Sequence, residues 1–343
     1  MQDYKANDNP FLTDPAVPSH LRRALHHDYC RPARYMITLY KAESTPILSE
    51  VSGNLAIKDL SHPDAPKAFP SLTGRAFHAA IDLWTCQYPQ IEVDDIVIMP
   101  DHIHLCINVK HYLKIGLSRA IANLMGKTTT AYIEQLDPQP DPLTLETNPL
   151  HFFSKGFNDS IAYTDTQYQT QLDYIADNPR RLLMKRRYPD LYRIRWVITA
   201  GDIQVMALGN IHLLKKPHLQ VVRFSRRFDS ARLAENDAAY LRCIENGGSL
   251  ISPFIHPHEK RTRDLAIEAG GNIIRICDNG FSERFAPAKT EFDLMGSHRL
   301  LLIAPLEYTS RKQEMKYAYA QQLNRLAEFL ASHPVDLRIS PAK

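Results

Sequence analysis

Hydrophobic positions along the chain change period several times, and each change marks an element. Arg34–Tyr40 (RYMITLY) alternates as a half-buried strand does, and Ala56–Leu60 fits a second short strand. Leu72–Tyr88 places Leu72, Ala76, Ala79, Ala80 and Leu83 at helical spacing, which predicts an amphipathic helix. Val93–Val109 holds two strand-like runs around the turn-prone Pro100-Asp101, and Ile115–Leu136 is again helical. The Pro-rich stretch 137–149 reads as a surface loop, and Asp165–Arg187 as a further helix. The order strand, strand, helix, strand, strand, helix, loop, helix predicts an antiparallel sheet with helices on one face, the α+β class.

The second half has another rhythm. Ile203–Leu208, Gln220–Phe224, Leu250–Ile255, Asn272–Cys277 and Leu300–Pro305 are mostly continuous apolar runs, separated in several places by helical patterns at 230–245, 257–269 and 311–331. Strands buried on both faces and alternating with helices predict a doubly wound parallel α/β sheet. The boundary is expected in the WVITAGD segment, residues 196–202. It would separate a loosely ordered lead-in (1–30) and a first domain (31–196) from a second domain (197–343).

Composition narrows the class. The 343 residues suit about two domains. With 44% hydrophobic and 23% charged residues this is an ordinary globular composition. No apolar run approaches the roughly 20 residues needed to span a bilayer, so no membrane partner is expected, and the N-terminus lacks the pattern of a secretory signal. Five scattered cysteines without a CxxC pair argue against a zinc ribbon or a disulfide framework, and fit a reducing cytoplasm. The net charge is only +3, but between Arg180 and Arg195 seven basic residues (Arg180, Arg181, Lys185, Arg186, Arg187, Arg193, Arg195) face one acid, Asp190. Such a run is a candidate phosphate contact, although taken alone it is better read as a solvated helix end.

Two short segments carry candidate chemistry. In Met99-Pro100-Asp101-His102-Ile103-His104-Leu105 a strand would turn His102 and His104 to one face, and Ile103, Leu105, Ile107 and Val109 to the other. Two imidazoles so placed can bind a divalent cation, or can simply be two surface histidines. In Tyr174-Ile175-Ala176-Asp177-Asn178-Pro179 the phenol and the amide lie four residues apart, one helical turn from each other. They would supply a nucleophile and a neutral metal ligand, or ordinary helix-face packing.

In combination and order, IMPDHIH (98–104) and YIADNP (174–179) resemble the HUH single-tyrosine transposases, most closely the REP-associated tyrosine transposases. The resemblance covers roughly residues 30–195. It implies a ferredoxin-like core, His102 and His104 as metal ligands with Asn178 completing the site, and Tyr174 as the nucleophile. The activity implied is metal-dependent cutting and rejoining of single-stranded or hairpin DNA through a covalent 5′-phosphotyrosine, in a bacterial cytoplasm, on the nucleoid. A phenol ordinarily titrates at about 10, so attack needs assistance, and Mg²⁺ or Mn²⁺ is the expected cofactor. Arg180, Arg181, Lys185, Arg186 and Arg187 would contact the DNA backbone. Unstacked bases could lie on Phe152, Phe153 and Phe157, of which at least one is expected to be core packing. The long Pro-rich loop, and the absence of the family's Trp in the segment after it, depart from the family pattern.

The second half resembles the Rossmann-like domain of DNA-processing protein A around Phe224-Ser225-Arg226-Arg227, Ser249-Leu250-Ile251-Ser252-Pro253 and Ala269–Ile274. This implies a phosphate or ligand site at Ser225, Arg226, Ser252 and the helix start near Pro257. No GxGxxG or Walker A sequence accompanies it. The alternative readings are a catalytically silent DNA-binding protein and a nucleotide-responsive regulator on the same fold. Monomer and homodimer both remain open.

Overall fold

The computed structural model of the chain describes residues 24, 26–136, 139–141, 150–198, 203–224, 230–282, 285–309, 315–333 and 338–339. It divides into two compact units, Met1–Met184 and Lys185–Lys343. The division falls inside the last turn of a helix, upstream of the expected 196–202 segment. The stretch Arg195–Ile198 pairs with the second unit's sheet, so the strand partner, and not the composition of the linker, places it there.

The first unit is built on four antiparallel strands in the order β4-β5-β1-β6: β1 (Ala33–Tyr40), β4 (Ile91–Ile98), β5 (His102–Val109) and β6 (Asn158–Ala162). A separate hairpin pairs β2 (Ser49–Ser52) with β3 (Lys67–Pro70). It flanks the segment 56–60, which is turn and irregular chain and not the strand expected there. Helix α1 (Leu72–Gln87) is capped by Ser71, whose hydroxyl accepts from the Gly74 N–H. With α2 (Gly116–Glu134) it covers one face of the sheet. Tyr35, Ile37 and Leu39 of β1 and Ile103, Leu105, Ile107 and Val109 of β5 pack there against Phe77, Trp84, Leu117 and Leu124. The Trp84 indole N–H donates to the Ala120 carbonyl at 2.7 Å and ties the two helices together.

The other face is also covered, which corrects the expectation of helices on one face only. Helix α3 (Asp165–Arg187) lays Tyr168 and Ile175 on Cys106, with Met36, Val97 and Leu172 around them. An apolar strand position on this second face needs burial as much as one on the first, and α3 supplies it.

The second unit holds a seven-stranded sheet, β13-β7-β8-β12-β11-β10-β9. Strands β9 (Leu219–Val221), β10 (Ser249–Ser252), β11 (Asn272–Ile276) and β12 (Leu300–Ala304) are parallel. Strands β8 (Gln204–Gly209), β7 (Arg195–Ile198) and β13 (Arg338–Ile339) extend the sheet antiparallel. The sheet is therefore mixed, not wholly parallel. Continuous apolar runs report that both faces are buried, and they are silent about strand direction. Helices α4 (Ser230–Glu245), α5 (Pro257–Glu268) and α6 (Lys289–Gly296) line one face; α7 (Tyr317–Ser332) and a 3₁₀ segment, Ile211–Lys215, line the other. No helix among the described residues is long and apolar enough to cross a membrane.

One glycine fixes how the first unit closes. A β-carbon on Gly74 would lie 2.0 Å from the Leu48 carbonyl oxygen, which already accepts from the Ser71 N–H at 2.9 Å. Gly74→Ala should lower stability by about 1–3 kcal/mol through overpacking against backbone, read as a fall in the urea midpoint.

Candidate nucleic-acid-processing site

The β1–β5 ladder brings the site residues together. It pairs Thr38 with His104 and Tyr40 with His102 across the strands, all four on the face that α3 covers. The two imidazoles lie edge to face with centroids 4.6 Å apart, and His104 lies edge to face with Tyr174 at 5.6 Å. The two histidines and the tyrosine, 70 residues apart along the chain from His104 to Tyr174, thus form one cluster.

Each imidazole is oriented through Nδ1. His104 Nδ1 shares a hydrogen bond with Thr38 Oγ1 at 2.9 Å, and His102 Nδ1 lies 2.7 Å from Asp101 Oδ1. A ring held at Nδ1 offers Nε2 as its ligating atom, the usual way a neighbouring acceptor or hydroxyl orients a metal-binding histidine. Burial, reinforced by the neighbouring His102, pushes His104 down to about 3, so its ring is neutral and keeps a lone pair for a cation. The Asp101 carboxyl is held below its ordinary range mainly by its hydrogen bond to His102.

Asn178 sits one turn beyond Tyr174 on α3 and donates its side-chain N–H to the Tyr174 carbonyl at 3.0 Å. With its NH₂ end in that bond, its oxygen is the end suited to a cation. Among the described residues no three of His, Cys, Asp and Glu gather into a metal-binding group; the imidazoles of His102 and His104 are the nitrogen donors that the geometry brings together. Cys106 does not alter this. It is fully buried under α3, and its thiol is pushed up to about 12 by burial and by Asp95 and Asp94.

Two arginines, Arg181 buried and Arg180 half-buried, brace the tyrosine helix. Asp177 receives Arg180 at 2.6 and 2.9 Å and lies 3.9 Å from Arg181. The Arg181 guanidinium packs over the Tyr174 ring, 5.3 Å from its centroid. Arg180 and Arg181 are thus drawn into the helix surface, whereas Lys185, Arg186 and Arg187 are exposed. Tyr168, the other phenol on this helix, is buried and donates to Asp94; burial and that carboxylate raise its pKa well above the ordinary range. It is a poor nucleophile where it stands.

Burial bears on two expectations here. Phe152, Phe153 and Phe157 are all buried in the core, so none is a platform for bases; Phe152 also packs edge-on to Tyr132. An exposed aromatic ring does stand beside the histidines: Tyr40, 5.7 Å from His102. In the second unit Ser225 and Arg226 lie outside the described residues, and Ser252 is fully buried with its hydroxyl accepting from the Phe254 N–H at 3.0 Å. The start of α5 is likewise satisfied from within, since Glu259 accepts from the Ile255 and His256 N–H groups.

Thr38, Tyr40 and Asp101 were not singled out from the sequence. The alternation of RYMITLY gave Thr38 and Tyr40 a shared face, but nothing in it named the strand they would pair with. The buried Asp177 network generates a direct test. Asp177→Asn leaves Arg180 and Arg181 without their carboxylate and should cost about 3–5 kcal/mol, measured by urea unfolding.

No protein-family model and no curated protein matches this chain. Among solved structures, a REP-associated tyrosine transposase bound to a REP hairpin is 13% identical at a TM-score of 0.30, covering 46% of this chain and 72% of that one. The DNA processing protein A of Helicobacter pylori, described for its single-stranded DNA binding mode, is 14% identical at 0.30, covering 39% and 60%. That of Streptococcus pneumoniae is 17% identical at 0.31, covering 50% and 60%. Likenesses at this level stay below what establishes a shared fold.

Proposed function

We propose that this chain cuts and rejoins single-stranded or hairpin DNA through a covalent tyrosine intermediate, with Tyr174 as nucleophile and a Mg²⁺ or Mn²⁺ ion held by His102, His104 and Asn178. The convergence of His102, His104 and Tyr174 on one face of β5 carries the reading. On this reading the first unit is an HUH-type catalytic domain with a ferredoxin-like sheet, and the second a Rossmann-like accessory domain.

The residues divide the work. Thr38 and Asp101 hold the two imidazoles with Nε2 presented, and the Arg181 guanidinium fixes the Tyr174 ring. The bound cation would polarise a non-bridging phosphate oxygen and offset charge that develops as phosphorus is attacked. Tyr174 Oη would form a bond to phosphorus while the bond to the 3′-oxygen breaks. The phenol loses its proton and the leaving 3′-oxygen gains one, giving a 5′-phosphotyrosine and a 3′-hydroxyl. Because the phosphoester bond is conserved, a second 3′-hydroxyl can reverse the step without ATP. Lys185, Arg186 and Arg187, exposed farther along the same helix, suit contact with phosphates; Arg180 and Arg181 would act by holding the helix in place.

The test is incubation with an end-labelled hairpin carrying single-stranded flanks, with and without Mn²⁺. Wild type should form a denaturant-resistant protein–DNA adduct only with the metal. Tyr174→Phe should abolish the adduct with binding nearly unchanged, and His102→Ala should lower cleavage by about 10²-fold or more and blunt its metal dependence. DNA binding with no adduct under any divalent metal would sink the catalytic reading in favour of a silent DNA-binding protein. Adducts that persist in Tyr174→Phe would remove Tyr174 as nucleophile.

A further inference from the structure

At the end of the second unit's sheet where β12 begins lies a recess of about 280 Å³. It is at the opposite end of the parallel strands from their carboxyl ends, where open α/β sheets usually hold ligands. Two arginines, Arg187 and Arg195, line it together with the imidazoles of His212 and His298, against one carboxylate among the described residues, Asp190.

Three further observations make it more than a basic surface. The Arg195 Nη2 donates to the Gly209 carbonyl at 3.2 Å, but its Nε–H is buried without a hydrogen-bond partner among the described residues. A buried guanidinium N–H left in that condition has unused donating capacity, and native proteins seldom leave such a group unsatisfied. His298 has φ of 61°, one of two non-glycine residues with positive φ among those described. It directly follows the C-cap Ser297 of α6, where glycine is the usual solution, and retaining an imidazole there strains the backbone. Its conformation is pinned from both sides. The His298 N–H donates to Met295 O, and its carbonyl accepts from Asn210 Nδ2, both at 2.8 Å. Asn210 in turn accepts from the His212 N–H at 3.1 Å, so one amide fixes both histidine-bearing segments. Finally, Tyr188 meets His298 edge to face at 5.1 Å and carries the Arg187 guanidinium over its ring at 5.5 Å. The cations are thus held in place and not left as free ends.

We propose that this recess binds a phosphate group, with Arg187 and Arg195 as its charge partners and His298 as a positioned donor. Planar guanidinium groups suit the oxygens of phosphate, and a recess of about 280 Å³ has ample room for one such group. Such a phosphate has two sources, a nucleic-acid strand and the free ion, and the experiment separates them.

The full-length chain is titrated with inorganic phosphate and, at matched ionic strength, with chloride, following thermal midpoint and heat of binding. Fluorescence anisotropy with a single-stranded oligonucleotide forms the second arm. Phosphate should raise the midpoint where chloride does not. Arg195→Met and Arg187→Ala should each weaken phosphate binding by about tenfold, one charge-assisted hydrogen bond's worth. His298→Gly, which relieves the backbone and so keeps the fold, should weaken it too. If the same variants also weaken the oligonucleotide, and phosphate competes with it, the source is a strand backbone. If only phosphate binding responds, it is the free ion. Equal effects of phosphate and chloride, or wild-type affinity in all three variants, would overturn the proposal. The readout is binding in the second unit, so it stands or falls independently of Tyr174 chemistry.

Discussion

The pairing register of β1 with β5 governs the first unit. With Thr38 opposite His104 and Tyr40 opposite His102, odd positions of both strands fall on the α1–α2 core and even positions on the site. A slip of one residue would carry Ile103 and Leu105 out of that core and bury the imidazoles in their place. The apolar face therefore fixes where the polar face points. The site's geometry is stabilised by side chains that never touch it, namely Tyr35, Ile37, Leu39, Leu105 and Ile107, all fully buried.

A sheet with both faces covered puts the site beneath a helix, and that placement has electrostatic consequences. His104 is neutral because it is buried, and it is oriented because Thr38 satisfies its other nitrogen. Asp177, buried on the same helix as Tyr174, is matched by Arg180 and Arg181, which keeps the polar side of α3 satisfied where water is excluded. Pro179 lies inside this helix and does not end it: α3 runs on to Arg187. Tyr168 and Tyr174 are six residues apart on one helix and differ in chemistry through their neighbours. One phenol donates to Asp94, at the bulge between Val93 and Asp95, and the other stands beside an imidazole and a guanidinium.

In the second unit the recess beside β12 depends on an antiparallel neighbour. Gly209 ends β8 opposite Leu301 only because β8 runs against β12, and this brings Arg195, Asn210 and His298 to one end of the sheet. A wholly parallel sheet would have sent that segment elsewhere.

Local pattern determined much of this protein. Period-2 alternation placed β1, strand-like apolar runs placed β4 and β5 within about two residues, helical spacing placed α1, α2 and α3, and the H-x-H spacing put His102 and His104 on a common face before any partner strand was known. These are properties of consecutive residues, and backbone geometry alone enforces them. What required the tertiary structure was everything set by non-local pairing. That includes the direction of β7 and β8, the cover that α3 gives the second face, the burial of Phe152, Phe153 and Phe157, and the Thr38 and Asp101 contacts that orient the imidazoles. Apolar runs state that a segment is buried without naming what buries it, because burial free energy is non-directional and follows area. Direction, register and contact come instead from hydrogen-bonded partners far away in the chain.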